Sequence, residues 1–233
     1  MKKWLLGIFL IHVGSMAHAG TVSSFDDIEF WVGSGQNSAA LVMDWQEDSS
    51  SEEAWVWGYR WDGDASGEDM LLEIVAADQR LYARIGTDSG FGTPLYGLGY
   101  DLNDNDTFGI SDGTAFNSEG IAVTGNHDGA AATDIGDLYH EGWYSGFWNY
   151  AVSDGNPYDG GAWQSASSGI SGRILSDGDW DGLTYETDWG FDSFPENPHA
   201  AQIPEPSSCL LLGSLFAGLG LCQLCFLLKR KAS

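Results

Sequence analysis

Short apolar stretches bounded by glycine, serine and asparagine recur along the chain and predict β-strands at 28–32 and 39–45. The next stretch, 54–61 (AWVWGYRW), alternates residue by residue, which is the period of a strand with two different faces. One face is aromatic throughout, and such a face indicates core packing more often than a ligand platform. Its four residues are Trp55, Trp57, Tyr59 and Trp61.

A helical period occurs over 66–81 (SGEDMLLEIVAADQRL). Ser66 is placed to cap the N-terminus, and Asp69 follows three residues later, as in a capping box. The apolar residues then recur every three or four positions and predict one buried stripe. The stripe consists of Met70, Ile74, Ala77 and Leu81, with Leu71 and Val75 beside it.

The remaining pattern is dominated by turns. Residues 104–137 are rich in glycine, aspartate and asparagine and predict a long loop with short strands, and further strands are expected at 142–152 and 182–185. Residues 191–202 contain proline and predict a linker. This order favours an α+β or mainly β fold, as a single β-rich domain over 20–190 with one main helix.

The first 19 residues have the pattern of a secretory signal peptide. Lysines at positions 2 and 3 precede a short, mostly apolar run. Ala17 and Ala19 then occupy the small-residue positions of a cleavage site before Gly20. An uncleaved anchor is the alternative interpretation.

The other end predicts a transmembrane helix. Cys209 to Leu228 contains no charged residue, and 20 helical residues span about 30 Å, the thickness of a bilayer core. Lys229, Arg230 and Lys231 follow directly, which places this end in the cytoplasm and the rest of the chain outside it.

Immediately before this helix stand Pro204, Glu205 and Pro206. The motif, the apolar span and the basic cluster, in that order, resemble the PEP-CTERM sorting signal of Gram-negative bacteria over 203–233. The resemblance implies transient anchoring in the inner membrane, processing by signal peptidase and an exosortase, and transfer to the cell surface or release. It also implies an association with extracellular polysaccharide and biofilm matrix.

The composition of the region between these two ends limits the classes of partner that the protein is expected to bind. Gly20 to Glu205 contains four arginines, no lysine and all 34 acidic residues, a formal charge of −30. Such a charge repels nucleic acid, and it disfavours anionic polysaccharide unless a divalent cation bridges the two. Ten tryptophans in this region favour a packed core over disorder. All three cysteines lie in the apolar tail, so no disulfide is expected in the body.

Two acidic runs match the start of a calcium loop, in which alternating oxygen ligands converge on a hard cation. Hydrogen-bonded turns are the alternative, since aspartate and glycine are abundant here. A third run, Asp101, Asn103 and Asn105, matches less well because Asp106 replaces the glycine. Calcium is the one cofactor considered, with ligands at Asp177, Asp179, Asp181 and Asp188 in one loop and at Asp62, Asp64, Ser66 and Glu73 in the other.

No nucleophile, base and orienting group can be assembled from motifs, so no catalytic residue is assigned. Gly125 to Asp128 (GNHD) resembles part of a metallophosphoesterase site, but its companion motifs are missing and a turn is favoured. Segments 58–81, 148–150 and 177–182 resemble a poorly characterised family of secreted bacterial surface modules, which implies ligand binding or adhesion. The expected function is a non-enzymatic surface or matrix module. The alternative is a secreted polysaccharide hydrolase using paired carboxylates.

Overall fold

The computed structural model describes residues 20–45, 54–87, 92–125, 128–187 and 193–203. Within these ranges the protein is β-rich, with one α-helix, α1 (Gly67–Ala77), and two 3₁₀ helices, Phe25–Asp27 and Ile170–Gly172. The strands are β1 (Trp31–Gly33), β2 (Asn37–Asp44), β3 (Ala54–Trp61), β4 (Leu81–Ile85), β5 (Leu95–Tyr100), β6 (Ile121–Val123), β7 (Leu138–Glu141), β8 (Phe147–Ser153), β9 (Gln164–Ser165), β10 (Trp180–Glu186) and β11 (His199–Ala200).

The strands form two sheets. The main sheet has the order β1-β3-β2-β10-β8-β9, with β11 also paired to β3. Three of its strand pairs are antiparallel, β2 with β3, β8 with β10 and β8 with β9. Three are parallel, β2 with β10 and both β1 and β11 with β3. The second sheet has the order β6-β4-β5-β7. The predicted β-rich class with one main helix is confirmed for the described residues.

Both faces of the main sheet are covered. One face packs against α1 and the second sheet, and this main core holds Leu41, Met43, Trp57, Ile74 and Leu98. The opposite face is covered by a smaller cluster that includes Val42, Val56 and Trp180. A strand buried on both faces needs apolar residues at successive positions, which explains why β2 reads AALVM without alternation.

The aromatic face of β3 is part of the core, as expected from its alternation. Trp57, Tyr59 and Trp61 are buried in the main core, and Trp55 packs against it while partly exposed. On the other face Val56 joins the smaller cluster, while the exposed Arg60 lies over the ring of Trp31 at 4.5 Å. Core packing therefore accounts for these aromatic residues.

Helix α1 begins where the sequence predicts, and it ends four residues before the predicted end at Leu81. Ser66 Oγ accepts a hydrogen bond from the Asp69 backbone N–H, and the Asp69 carboxylate accepts one from the Ser66 backbone N–H, which completes the capping box. The helix ends at Ala77, and Leu81 belongs to β4 instead of the helical stripe. None of the helices in the described ranges has the length and apolarity needed to cross a bilayer, and the predicted helix at 209–228 lies outside those ranges.

The chain at 198–201 is part of the domain, which corrects the prediction of a linker over 191–202. Strand β11 adds to the edge of β3, and Ala200 and Ala201 are buried. The Val22 N–H donates to the Pro198 carbonyl at 2.8 Å, and Thr21 bridges to His199. The two ends of the described domain therefore lie side by side, and the domain extends beyond the predicted boundary at 190.

A buried ion pair crosses the second sheet. Arg84 on β4 and Glu141 on β7 both oppose Gly97 on β5, and each has a side chain about 1% exposed. Arg84 Nη1 lies 2.7 Å from Glu141 Oε2. A Cβ atom at position 97 would come within 2.5 Å of the Tyr139 hydroxyl, so glycine leaves the space in which the two charged side chains meet. Asp112, Thr114 and Thr124 accept the remaining hydrogen bonds of the guanidinium group.

Candidate functional site

A groove of about 410 Å³ lies where the start of β5 in the second sheet meets β8 and β10 of the main sheet. We call it the inter-sheet groove. Grooves lined by aromatic rings with a few polar groups are the usual form of small-ligand sites. Its described lining residues are Thr87, Gly92, Thr93, Pro94, Leu95, Tyr96, Trp143, Trp148, Tyr150, Gly169, Ile170, Ser171 and Leu183.

Aromatic rings form one wall of the inter-sheet groove. Trp143 is 43% exposed and meets the ring of Tyr96 edge to face, with 5.5 Å between centroids. Tyr96 and Trp148 are each 8% exposed and continue this wall inward. The indole N–H of Trp148 donates to the His140 carbonyl, so that ring has a fixed orientation. The wall thus combines one accessible ring with two that are held by the protein.

Asp128 holds the turn that presents Trp143. Its carboxylate accepts hydrogen bonds from the Ser145 hydroxyl at 2.7 Å, the Ser145 N–H at 3.1 Å and the Trp143 N–H at 3.3 Å. These donors, the hydroxyl first, keep the pKa of Asp128 below its ordinary value. Asp128 is the last residue of the GNHD motif, whose Asn126 and His127 lie outside the described residues, so the turn favoured there from the sequence stays a prediction.

A charged network lies beneath the groove. The Tyr150 hydroxyl donates to Asp181, which is fully buried, and Arg173 pairs with Asp179 at 2.8 Å and with Asp181 at 3.5 Å. Burial raises the pKa of Asp181 to about 6, while Tyr150 and Arg173 act in the opposite direction. Since Asp181 is covered by Tyr150, it positions that ring and does not itself line the groove.

The first predicted calcium loop is divided by these contacts. Asp179 and Asp181 meet at Arg173, whereas Asp177 Oδ1 accepts hydrogen bonds from the backbone and hydroxyl of Ser38 at the start of β2. The fourth predicted ligand, Asp188, lies outside the described residues. The structure therefore brings two of the four together, around a guanidinium group.

The residues of the second predicted loop make separate contacts. Asp62 accepts from the Gln36 N–H, Glu73 accepts from the Tyr59 hydroxyl, and Ser66 caps α1. Asp64 is exposed. Within the described ranges, no three His, Cys, Asp or Glu side chains come together closely enough to hold a metal ion. Calcium binding at either loop stays a prediction.

The processing signals lie almost wholly outside the described residues. Ala17 and Ala19 precede them, and Gly20 is the first described residue and is exposed. The motif Pro204, Glu205 and Pro206 and the cluster Lys229, Arg230 and Lys231 follow them.

The chain matches no protein-family model, no curated protein and no solved structure. Its resemblance to PEP-CTERM proteins and to secreted surface modules therefore rests on the sequence motifs alone.

The inter-sheet groove was not predicted from the sequence. Most of its described lining comes from three separate segments, 92–96, 143–150 and 169–171, and Thr87 and Leu183 come from two others. One local signal was available: Trp143 and Tyr144 stand between glycines in GWYSG, a composition typical of a turn. Two large aromatic residues in a turn are candidates for exposure, and these two are 43% and 70% exposed.

Proposed function

We propose that this chain is an exported cell-surface or matrix protein, processed by an exosortase, whose β-rich domain binds polysaccharide. The inter-sheet groove is the observation that carries the binding function. The apolar face of a sugar ring packs well on an aromatic ring, and its hydroxyls need the polar groups that Thr93 and Ser171 place beside the wall. The formal charge of −30 over 20–205 favours neutral sugars over anionic ones.

The construction of the groove supports a binding role. The Thr93 N–H donates to Ser171 Oγ at 3.2 Å, which joins its two rims, and Tyr150 is fixed from below by Asp181. A wall arranged before the ligand arrives lowers the entropy lost on binding. No Asp or Glu is found among the described lining residues, so no specific observation favours the hydrolase alternative.

Replacing Trp143 by alanine should weaken binding of a neutral glycan about fivefold, because one exposed aromatic contact contributes on the order of 1 kcal/mol. Affinity is measured on the full-length chain with a panel of neutral and anionic glycans. Tyr144→Ala is the matched control, because this neighbouring aromatic residue is 70% exposed and does not line the groove. Equal losses for both variants, or no glycan bound by the wild type, would contradict the binding proposal. Product release that one carboxylate substitution abolishes would establish the hydrolase instead.

The sorting proposal has its own test. Changing Pro204, Glu205 and Pro206 to alanine in the native host should leave an uncleaved, membrane-bound form, because the resemblance places exosortase recognition at this motif. Cell fractionation and immunoblotting of the mature form measure the result. A conservative exchange in the apolar span, Leu210→Ile, serves as the control. Unchanged processing of the alanine variant would overturn the assignment.

A further inference from the structure

A second feature, remote from the inter-sheet groove, is a pair of facing carboxylates at one end of the second sheet. Tyr100 at the end of β5 pairs with Leu138 at the start of β7 in an antiparallel ladder. Continuing that register by one residue sets Asp101 opposite Asp137. Side chains opposed in this way have Cβ atoms about 5 Å apart and lie on the same face, and like charges in this arrangement repel.

Both members of the pair are buried. Asp101 is 2% exposed and Asp137 is 7% exposed. Burial raises the pKa of Asp137 to about 6, and the charge of Asp101 acts in the same direction. Neither oxygen of Asp137 has a hydrogen-bond donor within the described residues. A buried carboxylate without a donor is costly, so this arrangement calls for a bound proton or a bound cation.

None of the four arginines of the domain supplies this positive charge to Asp137. Each of the four has other partners: Arg60 lies over Trp31, Arg84 pairs with Glu141 and Asp112, and Arg173 pairs with Asp179 and Asp181. Arg80 lies over the ring of Tyr100, the residue before Asp101, but its guanidinium group pairs with Asp78. More negative charge surrounds the pair, since Asp104 and Asp106 follow in the same loop and Asp134 contributes to the field at Asp137. The local potential therefore favours a cation.

The loop after Asp101 folds back onto Asp101 and contacts the segment that precedes Asp137. The Asn105 N–H donates to Asp101 Oδ1 at 3.2 Å, and the Asn105 side-chain amide donates to Asp134 Oδ2 at 2.9 Å. Asp104 and Asp106 adopt φ values of 52° and 60°, in the left-handed region. This is the loop whose sequence matches the calcium pattern least well, yet it lies beside a buried carboxylate of which neither oxygen has a donor within the described residues.

We propose that Asp101 and Asp137 bind a calcium ion at this end of the second sheet. Calcium takes six to eight oxygen ligands in flexible arrangements, including carboxylates, carbonyl groups and water. The two carboxylates can supply up to four of these oxygens, and carbonyl groups and water can supply the others without a third acidic side chain. Magnesium fits less well, because it demands octahedral geometry and retains its water. This site does not depend on the proposed polysaccharide binding.

The test is a titration of the full-length chain, first stripped with a chelator, with calcium chloride alone. Calorimetry should show binding, and the melting temperature should rise with calcium concentration at neutral pH. Asp137→Asn should weaken calcium binding at least tenfold. Without calcium this variant should melt no lower than the wild type, because it removes one of two facing like charges. Magnesium chloride should bind more weakly than calcium chloride.

Asp177→Asn is the matched control, because this residue belongs to the better sequence match and is bonded to Ser38. It should leave the response to calcium unchanged. Asp101→Asn provides a second variant of the pair if Asp137→Asn does not fold. A wild type unaffected by millimolar calcium would overturn the proposal in favour of a shared proton. A response lost in Asp177→Asn and kept in Asp137→Asn would also overturn it.

Discussion

Replacing Arg84 by methionine is expected to lower the free energy of unfolding by about 3–5 kcal/mol, because removal of one partner leaves the other as an uncompensated buried charge. Here that partner is Glu141, 4% exposed, which would keep only neutral donors, the Tyr139 hydroxyl and the Ala130 N–H. Chemical unfolding of the variant beside the wild type measures the loss.

A double variant distinguishes the effect of the unpaired charge on stability from the effect of the lost packing. In Arg84→Met with Glu141→Gln no fully buried charge is left unpaired, because the other acid that contacts Arg84, Asp112, has a side chain 31% exposed to water. Glutamine can still accept from Tyr139 and Ala130. We expect this double variant to recover a large part of the stability lost in the single one. Arg60→Met is the control, because that exposed arginine stacks on Trp31 and contributes at most about 1 kcal/mol. Equal losses for Arg60→Met and Arg84→Met would contradict this account.

Replacing Trp45 by alanine should cost about 3–5 kcal/mol, the usual range for a fully buried tryptophan. Trp45 follows β2 of the main sheet, is 0% exposed, and its indole N–H donates to the Leu98 carbonyl on β5 of the second sheet. Its ring also meets Trp55 and Trp148 edge to face. The substitution therefore opens a cavity and removes a hydrogen bond between the sheets.

The measurement is thermal and chemical unfolding, with Trp143→Ala as a tryptophan control. Trp143 is 43% exposed, so its removal should change stability by less than about 1 kcal/mol while weakening ligand binding. The two variants thus separate a tryptophan that joins the sheets from one that faces a ligand. A Trp45→Ala protein as stable as Trp143→Ala would contradict the role given to Trp45.

Elements with a strong local signal were predictable. Strand β3 is recognised because its alternation matches its two packed faces, and α1 because Ser66 and Asp69 form the expected capping box. Strand β5 (LYGLGY) was missed because Gly97 and Gly99 lower its strand propensity. Tertiary contacts explain those glycines: a Cβ atom at position 99 would come within 2.2 Å of the Phe108 ring.

The candidate sites were less predictable because they depend on register and on distant segments. A calcium-loop pattern is defined by residues close together in sequence, and it predicted ligands at Asp177, Asp179 and Asp181. In the structure Asp179 and Asp181 pair with Arg173. Asp101 and Asp137 are instead brought together by the pairing of β5 with β7. No spacing rule within one segment identifies such a pair, although the loop after Asp101 carried a partial match.

The pairing of β11 with β3 sets the length of the tether in the proposed membrane-anchored form. The chain is held in the domain as far as Gln202, whose carbonyl accepts from Arg80 at 2.5 Å. Residues 203–208 then precede the predicted membrane helix, and six residues reach about 20 Å at most when fully extended. Before cleavage the groove can therefore sample only material close to the membrane surface. Cleavage at the motif would leave β11 in place and extend the range of the domain to more distant polymers.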